Sequence, residues 1–261
     1  AACPFRFFAK RLLRLPEADD ASGQAELASP VLGTLYHEAL KGCYDRRGGR
    51  LWRPELAEAA EAVFSGGRWK ELGLYPVLWE AVRRKAFRRL ELLVEKDLAR
   101  LDAEGLTPAK LEVELSCAGE VPLKGRLDRV DLSDDGKRAR VVDYKPRHSD
   151  LRAPKKVLKL SSTQPAVYLE LLLAAGWYKG GPEGVLSAEY VNIEDDESLT
   201  GHAWRQTLDG DAWREARAGL RAALLVLKGL LERGEFPIVP EEGFGGHCAH
   251  CSYAAACRKA H

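Results

Sequence analysis

The sequence predicts an α/β fold in which a small mixed sheet is flanked by helices. Two observations indicate this class. Between residues 110 and 144, a segment that alternates apolar and polar residues is followed by two more strand-like segments. On both sides of this block, longer segments carry the 3.6-residue apolar period of helices. A block of strands between helical segments is typical of a sheet that helices cover.

The part before the strands is predicted to be helical. After Cys3 an apolar and basic helix is expected to end near Leu15. Ser29 suits the N-cap of the next helix and Pro30 its first turn, and we expect this helix to end near Tyr44. Two more helices are predicted at about 54–64 and 76–103.

The part after residue 105 is predicted to contain four strands and two helices. The strands are expected at 110–118, 121–132, 138–144 and 185–193. One helix is expected at 161–175, with Pro165 tolerated in its first turn, and another at 209–233, ended by Gly234. The tail from Phe236 is rich in Pro, Gly and Cys and is expected to be irregular.

Composition indicates an ordinary globular protein rather than a membrane or secreted one. Hydrophobic residues make up 46% and charged residues 30% of the 261 residues, and this length allows one large domain or two small ones. There is neither an 18-residue apolar run nor a signal peptide, so a cytoplasmic protein without membrane contact is expected. The net charge of +1 does not indicate nucleic-acid binding, which would require a local basic surface. The chain also lacks a P-loop pattern.

Two aspartates are expected to face each other in a hairpin. Asp135-Gly136 lies between two strand segments and is a strong signal for a two-residue turn. Under that register Asp128 lies directly opposite Asp143, with Cβ atoms about 4.5–5.5 Å apart. Such a pair repels, and Lys145, on the same face as Asp143, can relieve part of the repulsion.

A divalent cation between these carboxylates would relieve more of the repulsion. Oxygen ligands suit Mg²⁺ or Mn²⁺, and a metal ion with a nearby lysine can catalyse phosphodiester hydrolysis. The alternative is a hairpin whose two aspartates only face solvent. Asp131 points to the opposite face and is interpreted as structural, whereas Glu114 could approach the site but is more simply exposed.

The cysteine pattern predicts a second metal centre. Cys248, Cys251 and Cys257 form a C-x₂-C-x₅-C run near the C-terminus, and a closed site needs a fourth ligand. Spacing alone does not separate zinc from iron–sulfur, and His247 or His250 could complete a zinc site. Two other cysteines, Cys43 and Cys117, are interpreted as ordinary thiols.

Four ordered motifs together resemble the RecB-type branch of the PD-(D/E)xK nuclease superfamily. The Gly-x-x-x-His, Gly-x-x-Asp-Arg-x-Asp, Asp-x-Lys and Gln-x-x-x-Tyr motifs of that family correspond to residues 33–37, 125–131, 143–145 and 164–168. Each motif alone is weak, but their shared order is a specific signal. The resemblance implies the nuclease core fold and a metal-dependent deoxyribonuclease.

The resemblance also assigns roles to residues of the site. The metal ligands it implies are His37, Asp128, Asp143 and the backbone carbonyl of Tyr144. Lys145 is the implied catalytic lysine. Gln164 and Tyr168 are four residues apart on one helix face, and the resemblance implies that they line the active site and contact the substrate or Lys145.

The N-terminal cysteine extends the resemblance to the iron–sulfur nucleases. In that group a cysteine like Cys3 joins a C-terminal triplet to hold a 4Fe–4S cluster, which links the two ends of the domain and supports DNA binding. The resemblance implies the ligands Cys3, Cys248, Cys251 and Cys257, with Zn²⁺ in a four-cysteine site as the alternative. The tail 236–261 is then expected to pack with residues 1–15.

Three functions are compatible with this resemblance. The favoured one is an AddB-type nuclease domain, a single domain over 1–261 with a helical insertion at 45–104. It would act as a single-strand exonuclease in DNA end processing and recombinational repair. Its partner would be a helicase subunit or an upstream helicase-like domain.

The absence of a starting Met suits a domain cut from a longer polypeptide. The first alternative is a free-standing iron–sulfur exonuclease of the CRISPR-adaptation type. The second is a non-catalytic DNA-binding module on a nuclease fold, which is disfavoured because His37, Asp128, Asp143 and Lys145 are all present.

Overall fold

A computed structural model of the chain describes residues 3–16, 29–45, 53–65, 68–145, 163–193, 205–239, 248 and 251–257. The chain divides into two compact units, one made of Ala1–Ala25 with Gly219–His261 and the other of Glu26–Ala218. A single domain over 1–261 therefore stays a prediction. Within the described ranges, no helix combines the length and the apolar character needed to cross a membrane.

The helices and strands follow the predicted order closely. The helices are α1 Pro4–Phe7, α2 Ser29–Tyr44, α3 Arg53–Phe64, α4 Arg68–Glu71, α5 Pro76–Glu104, α6 Gln164–Ala174, α7 Gly210–Glu232 and α8 Ala254–Cys257. The strands are β1 Thr107–Cys117, β2 Leu123–Leu132, β3 Arg138–Lys145, β4 Val185–Asn192 and β5 Arg205–Asp209. The N-terminal helix differs from the prediction, because a π-helix at Phe8–Leu12 follows α1 and ends before Leu15.

The five strands form one mixed sheet in the order β1-β2-β3-β4-β5, which confirms the predicted fold class. Among these strands β3 and β4 pair in parallel, and the other neighbours are antiparallel. A parallel pair needs a crossover, and α6 lies in the segment that connects these two strands. The prediction missed β5, a five-residue strand that leads directly into α7 and is too short to show a period.

The turn between β2 and β3 is wider than predicted, yet the register is the predicted one. Ser133 N–H donates to the Arg138 carbonyl at 3.0 Å, and Gly136 N–H donates to the Ser133 carbonyl at 2.9 Å. The predicted two-residue turn is therefore wrong. The predicted register is nevertheless correct. Asp131 pairs with Arg140, and continuing that pairing along the two strands sets Asp128 opposite Asp143.

A large apolar core joins the helices that precede the sheet to the central strands. Buried side chains of α2, α3 and α5 form one cluster with Val142 and Tyr144 of β3 and with Val191 and Ile193. Helix α6 contacts β1 to β4. The segment predicted as an insertion thus supplies α3 and α5 to the core beneath the strands that carry the motifs.

An ionic network is buried within this core. Arg129 and Arg140 are each 1% exposed, and both pair with Asp131. Arg129 also donates to Asp97 of α5 at 2.6 Å. Burial would raise the pKa of Asp97, but the neighbouring Arg129 lowers it, so the carboxylate stays charged. Asp131 is structural, as its alternation indicated.

We expect Asp97→Ala to destabilise the protein strongly. The substitution leaves the Arg129 guanidinium buried with part of its charge unpaired and removes the acceptor of the Tyr44 hydroxyl, 2.7 Å away. Breaking a buried pair in this way costs about 3–5 kcal/mol. Urea unfolding measures the loss, and Glu91→Ala, at an exposed position of the same helix, is the control. Equal stability of the two variants would contradict the role of the network.

Candidate active site

Strands β2 and β3 of the predicted hairpin separate from each other at Asp128 and Asp143. The β2–β3 ladder runs from Leu132 opposite Ala139 to Arg129 opposite Val142. At the next step the Tyr144 N–H donates to Asp128 Oδ2 at 2.9 Å, so a side chain takes the place of a main-chain partner. The carboxylates of Asp128 and Asp143 therefore lie where the sheet opens.

His37 of α2 reaches this opening. Its Nδ1 lies 3.3 Å from Glu112 Oε1 and 3.5 Å from Asp128 Oδ1, and its Nε2 lies 3.2 Å from the Tyr144 carbonyl oxygen. Burial lowers the pKa of His37, but the contacts with Glu112 and Asp128 outweigh burial and raise the pKa to about 8. Because both ring nitrogens face acceptors, the surroundings favour the doubly protonated ring.

The other predicted residues gather around Asp143. The Lys145 ammonium pairs with Asp143 Oδ2. Gln164 Nε2 and the Tyr168 hydroxyl donate to Asp143 Oδ1 at 3.0 and 3.2 Å. Gln164 and Tyr168 share one face of α6, as their spacing predicted. In the structure they hold the carboxylate itself, whereas the resemblance implied contact with the substrate or with Lys145.

The pKa values reflect two buried carboxylates held close together. Burial and the neighbouring Asp143 charge raise the pKa of Asp128 to about 7, despite the opposing effect of His37. Burial also raises the pKa of Asp143, although Lys145 opposes the shift. Because both pKa values are raised, the site favours either a proton or a bound cation between the two acids.

The side chains at the opening fit a divalent cation. Ligand atoms of His37, Glu112 and Asp128 all lie within 4.8 Å of one another. Carboxylate oxygens with one imidazole suit Mg²⁺ or Mn²⁺. Two predicted ligands lie beside this group: the Tyr144 carbonyl contacts His37, and the oxygens of Asp143 are engaged by Lys145, Gln164 and Tyr168.

Sequence reasoning missed Glu112. Only Glu114 was considered on β1, and it is exposed and pairs with Lys124 at 3.3 Å. Glu112 is 9% exposed, and its backbone φ of +48° lies in the left-handed region. The pairs Leu111–Arg129 and Val113–Leu127 put Glu112 across from Asp128. The alternation of β1 was visible, but without a strong turn signal before β2 its register was not.

The cysteines of the predicted second centre all belong to the unit that holds both chain ends. Cys3 precedes α1, Cys257 ends α8, and the Cys251 N–H donates to the Cys248 carbonyl at 3.3 Å. All four side chains are half-buried. His247 and His250 lie outside the described residues. Cys43 is buried in the core of α2, and Cys117 ends β1.

Two contacts bring the ends of the chain together within this unit. The Phe8 and Phe236 rings stack with centroids 4.8 Å apart. The Tyr253 hydroxyl donates to the Leu15 carbonyl at 3.0 Å. Residues 3–15 therefore pack against parts of the C-terminal tail, which is the arrangement that a cluster with ligands from both ends requires.

The chain is similar to known nucleases along nearly all of its length. The family model of the PD-(D/E)XK nuclease superfamily matches residues 1–258. An ATP-dependent helicase/deoxyribonuclease subunit from Desulforudis audaxviator is 32% identical over 170 residues, covering 55% of this chain and 14% of that protein. The subunit of the same name from Lysinibacillus sphaericus is 27% identical over 229 residues, covering 74% and 18%.

This chain thus spans less than a fifth of the length of these two relatives. Among solved structures, SSO0001 covers 90% of this chain and 97% of its own at 14% identity. Its TM-score of 0.31 is too low to support an argument.

We expect Asp128→Asn to stabilise the metal-free protein at pH 8. A carboxyl whose pKa rises from 3.8 to about 7 on folding contributes stability below pH 4 that is lost as the pH rises through 7. Asparagine removes the charge and keeps an acceptor for Tyr144 N–H. The gain at pH 8 should be on the order of 2 kcal/mol. This is about half of what the shift represents at about 1.4 kcal/mol per pKa unit, because burying the amide also costs desolvation.

Thermal unfolding in EDTA at pH 5 and pH 8 measures this effect. The gain should shrink at pH 5, where Asp128 is protonated in the folded protein. Asp134→Asn, at an exposed position in the adjacent turn, is the control and should show no such difference. A loss of stability at pH 8 in Asp128→Asn would mean that the buried carboxylate stabilises the metal-free fold.

Proposed function

Since the chain belongs to the PD-(D/E)XK nuclease superfamily, we propose that it is a metal-dependent deoxyribonuclease that hydrolyses phosphodiester bonds. The observation that carries this proposal is the pair of acids at the opening of the sheet, Asp128 half-buried and Asp143 buried, with Lys145 against Asp143. A solvated hairpin face would have left both carboxylates exposed, and Asp143 is 4% exposed.

The residues that would hold the cation are His37, Asp128, Asp143 and the Tyr144 carbonyl, with Glu112 beside His37. A bound Mg²⁺ or Mn²⁺ would supply a Lewis acid that activates water and offsets charge on the phosphate. His37 has to lose a proton before it can ligate a metal, because both its ring nitrogens face acceptors in the folded protein.

The remaining side chains position and balance this centre. Gln164 and Tyr168 fix the orientation of Asp143 through one oxygen, which leaves the other oxygen to Lys145 and to a cation. The Lys145 ammonium can orient the attacking water and stabilise the charge that develops on the phosphate. Each of these roles follows from a group that already contacts Asp143.

The names of the relatives favour a helicase–nuclease context. We propose an AddB-type nuclease domain that degrades single strands during DNA end processing and recombinational repair, in the cytoplasm and with a helicase partner. The relatives above are named as subunits of a helicase/deoxyribonuclease, which favours this context over a free-standing CRISPR-adaptation exonuclease. The complete set of site residues favours catalysis over a DNA-binding module.

We also propose a 4Fe–4S cluster held by Cys3, Cys248, Cys251 and Cys257. The donor set fits, because four thiolates are the usual ligands of such a cluster and the two chain ends pack together in one unit. Zinc would use the same thiolates. The cluster would fix the N- and C-terminal segments to each other.

End-labelled single-stranded DNA tests the nuclease proposal. We expect cleavage that depends on Mg²⁺ or Mn²⁺, and a loss of roughly 100-fold or more in Asp143→Ala and Lys145→Ala. The first substitution removes a ligand of the cation, and the second removes the positive charge that orients the water and stabilises the phosphate. Lys137→Ala, at an exposed position in the β2–β3 turn, should keep full activity. The position of the label gives the polarity. If the folded protein cleaves no DNA strand when Mg²⁺ or Mn²⁺ is supplied, the nuclease proposal is wrong.

Iron analysis after purification without oxygen tests the cluster. We expect about four iron atoms per chain and a visible absorption band, both lost in Cys251→Ser. Cys117→Ser is the matched control, because Cys117 is also half-buried but ends a strand of the other unit. Zinc in the purified protein with no iron would establish the alternative.

A further inference from the structure

An exposed cation is tied to the candidate metal centre. Arg126 lies on β2, two residues before Asp128, and its side chain is 60% exposed. Its Nε lies 2.7 Å from Glu112 Oε2. The other oxygen of Glu112 lies 3.3 Å from His37 Nδ1. The half-buried carboxylate of Glu112 thus connects the guanidinium to a predicted metal ligand and fixes its place beside the opening.

The contact with Glu112 uses only part of the guanidinium. No hydrogen bond of the two terminal nitrogens is found in the part of the chain that the structure describes, and the side chain is 60% exposed. A guanidinium carries five N–H donors in a planar fork that matches a phosphate group with two parallel hydrogen bonds. Arg126 therefore presents donors of the right kind to a ligand approaching the opening.

The backbone of Glu112 indicates that this arrangement is maintained against strain. A φ of +48° is unfavourable for a residue with a side chain, by roughly 1–2 kcal/mol. Both carboxylate oxygens of Glu112 are engaged, one by His37 and one by Arg126. Strained residues of this kind cluster where geometry serves binding or catalysis.

The acidity of the opening explains why a cation is needed there. Asp128, Asp143 and Glu112 lie together, yet the proposed substrate carries a negative charge on every nucleotide. A metal ion can offset charge at the phosphate that is cleaved. A neighbouring phosphate of the same strand is still repelled by the acids unless a fixed positive charge binds it.

We propose that Arg126 binds a phosphate of the DNA strand next to the one that is cleaved, through its terminal nitrogens, and so positions the strand. The proposal rests on the proposed nuclease function and adds a substrate contact to it. Glu112 acts as the positioning residue, because its carboxylate contacts Arg126 through one oxygen and His37 through the other.

Lys124 provides a matched control on the same strand. It lies two residues before Arg126, about 7 Å farther from Asp128. Its side chain is 73% exposed and also pairs with a glutamate of β1, at 3.3 Å from Glu114. Glu114 is itself exposed and makes no described contact with His37. The two cations thus differ in their distance from Asp128 and in their link to the metal centre.

The test compares Arg126→Gln, Arg126→Lys and Lys124→Gln on two substrates, with Mn²⁺ present. One is a single-stranded oligonucleotide and the other is bis(p-nitrophenyl) phosphate, a diester without a neighbouring phosphate. The loss of kcat/KM in Arg126→Gln should be roughly tenfold larger on the oligonucleotide, the size expected for a charged hydrogen bond. Arg126→Lys should recover only part of the loss, because lysine lacks the fork. Lys124→Gln should show less than about a threefold preference for either substrate.

Binding supplies a readout that does not depend on cleavage. Fluorescence anisotropy with the same oligonucleotide, in Ca²⁺, should show weaker binding in Arg126→Gln and a salt dependence reduced by about one phosphate contact. Equal effects of Arg126→Gln and Lys124→Gln on binding would overturn the proposal. Equal losses on both substrates would also overturn it, since Arg126 would then act through Glu112 and His37 on the metal. If no variant, including the native chain, cleaves DNA, the nuclease proposal fails while the binding comparison still decides the role of Arg126.

Discussion

Two acids lie side by side at the opening of the sheet, and the groups around them are arranged to offset their burial and repulsion. Burial, and after it the charge of Asp143, raises the pKa of Asp128 to about 7, so the two acids cannot both be ionised there without compensation. The main chain accommodates the pair by giving up a ladder position, where Tyr144 N–H turns to Asp128. Lys145 and His37 supply positive charge on two sides. The site therefore lowers the free energy of unfolding, and favourable interactions elsewhere in the fold have to offset this loss.

Tyr144 connects the site to the part of the fold that provides this stability. Its N–H contacts Asp128 and its carbonyl contacts His37, while its hydroxyl accepts a 2.7 Å hydrogen bond from Arg129. Arg129 in turn is held by Asp97 of α5. A buried ion pair contributes little net stability, but it can specify one arrangement of the groups around it. Helix α5 is thus part of the structure that fixes the site, although the sequence had suggested an insertion beside it.

The sequence was sufficient for those features that depend on local patterns. Helix α2 begins at Ser29, within one residue of the predicted start, and the β2–β3 register followed from strand alternation even though the turn was wrong. Glu112 could not be found in this way, because its place depends on a pairing between strands and on a left-handed backbone. Arg129 was equally hidden, since a charged residue in a strand pattern ordinarily indicates an exposed position, and only the folded structure shows the partners that let it be buried.

The distribution of charge also explains why the pKa of Asp128 rises while that of its neighbour Glu112 falls. Glu112 has Arg126 as a partner of its own. Burial raises the pKa of Glu112, but its contact with His37 and, to a smaller extent, its contact with Arg126 outweigh burial and lower this pKa. Asp143 has Lys145. Asp128 only shares His37 with Glu112, at the longer distance of 3.5 Å. A cation that entered the opening would therefore gain most from Asp128. The net charge of the whole chain, +1, contains none of this information, because the affinity of the site depends on which acid lacks a cation of its own.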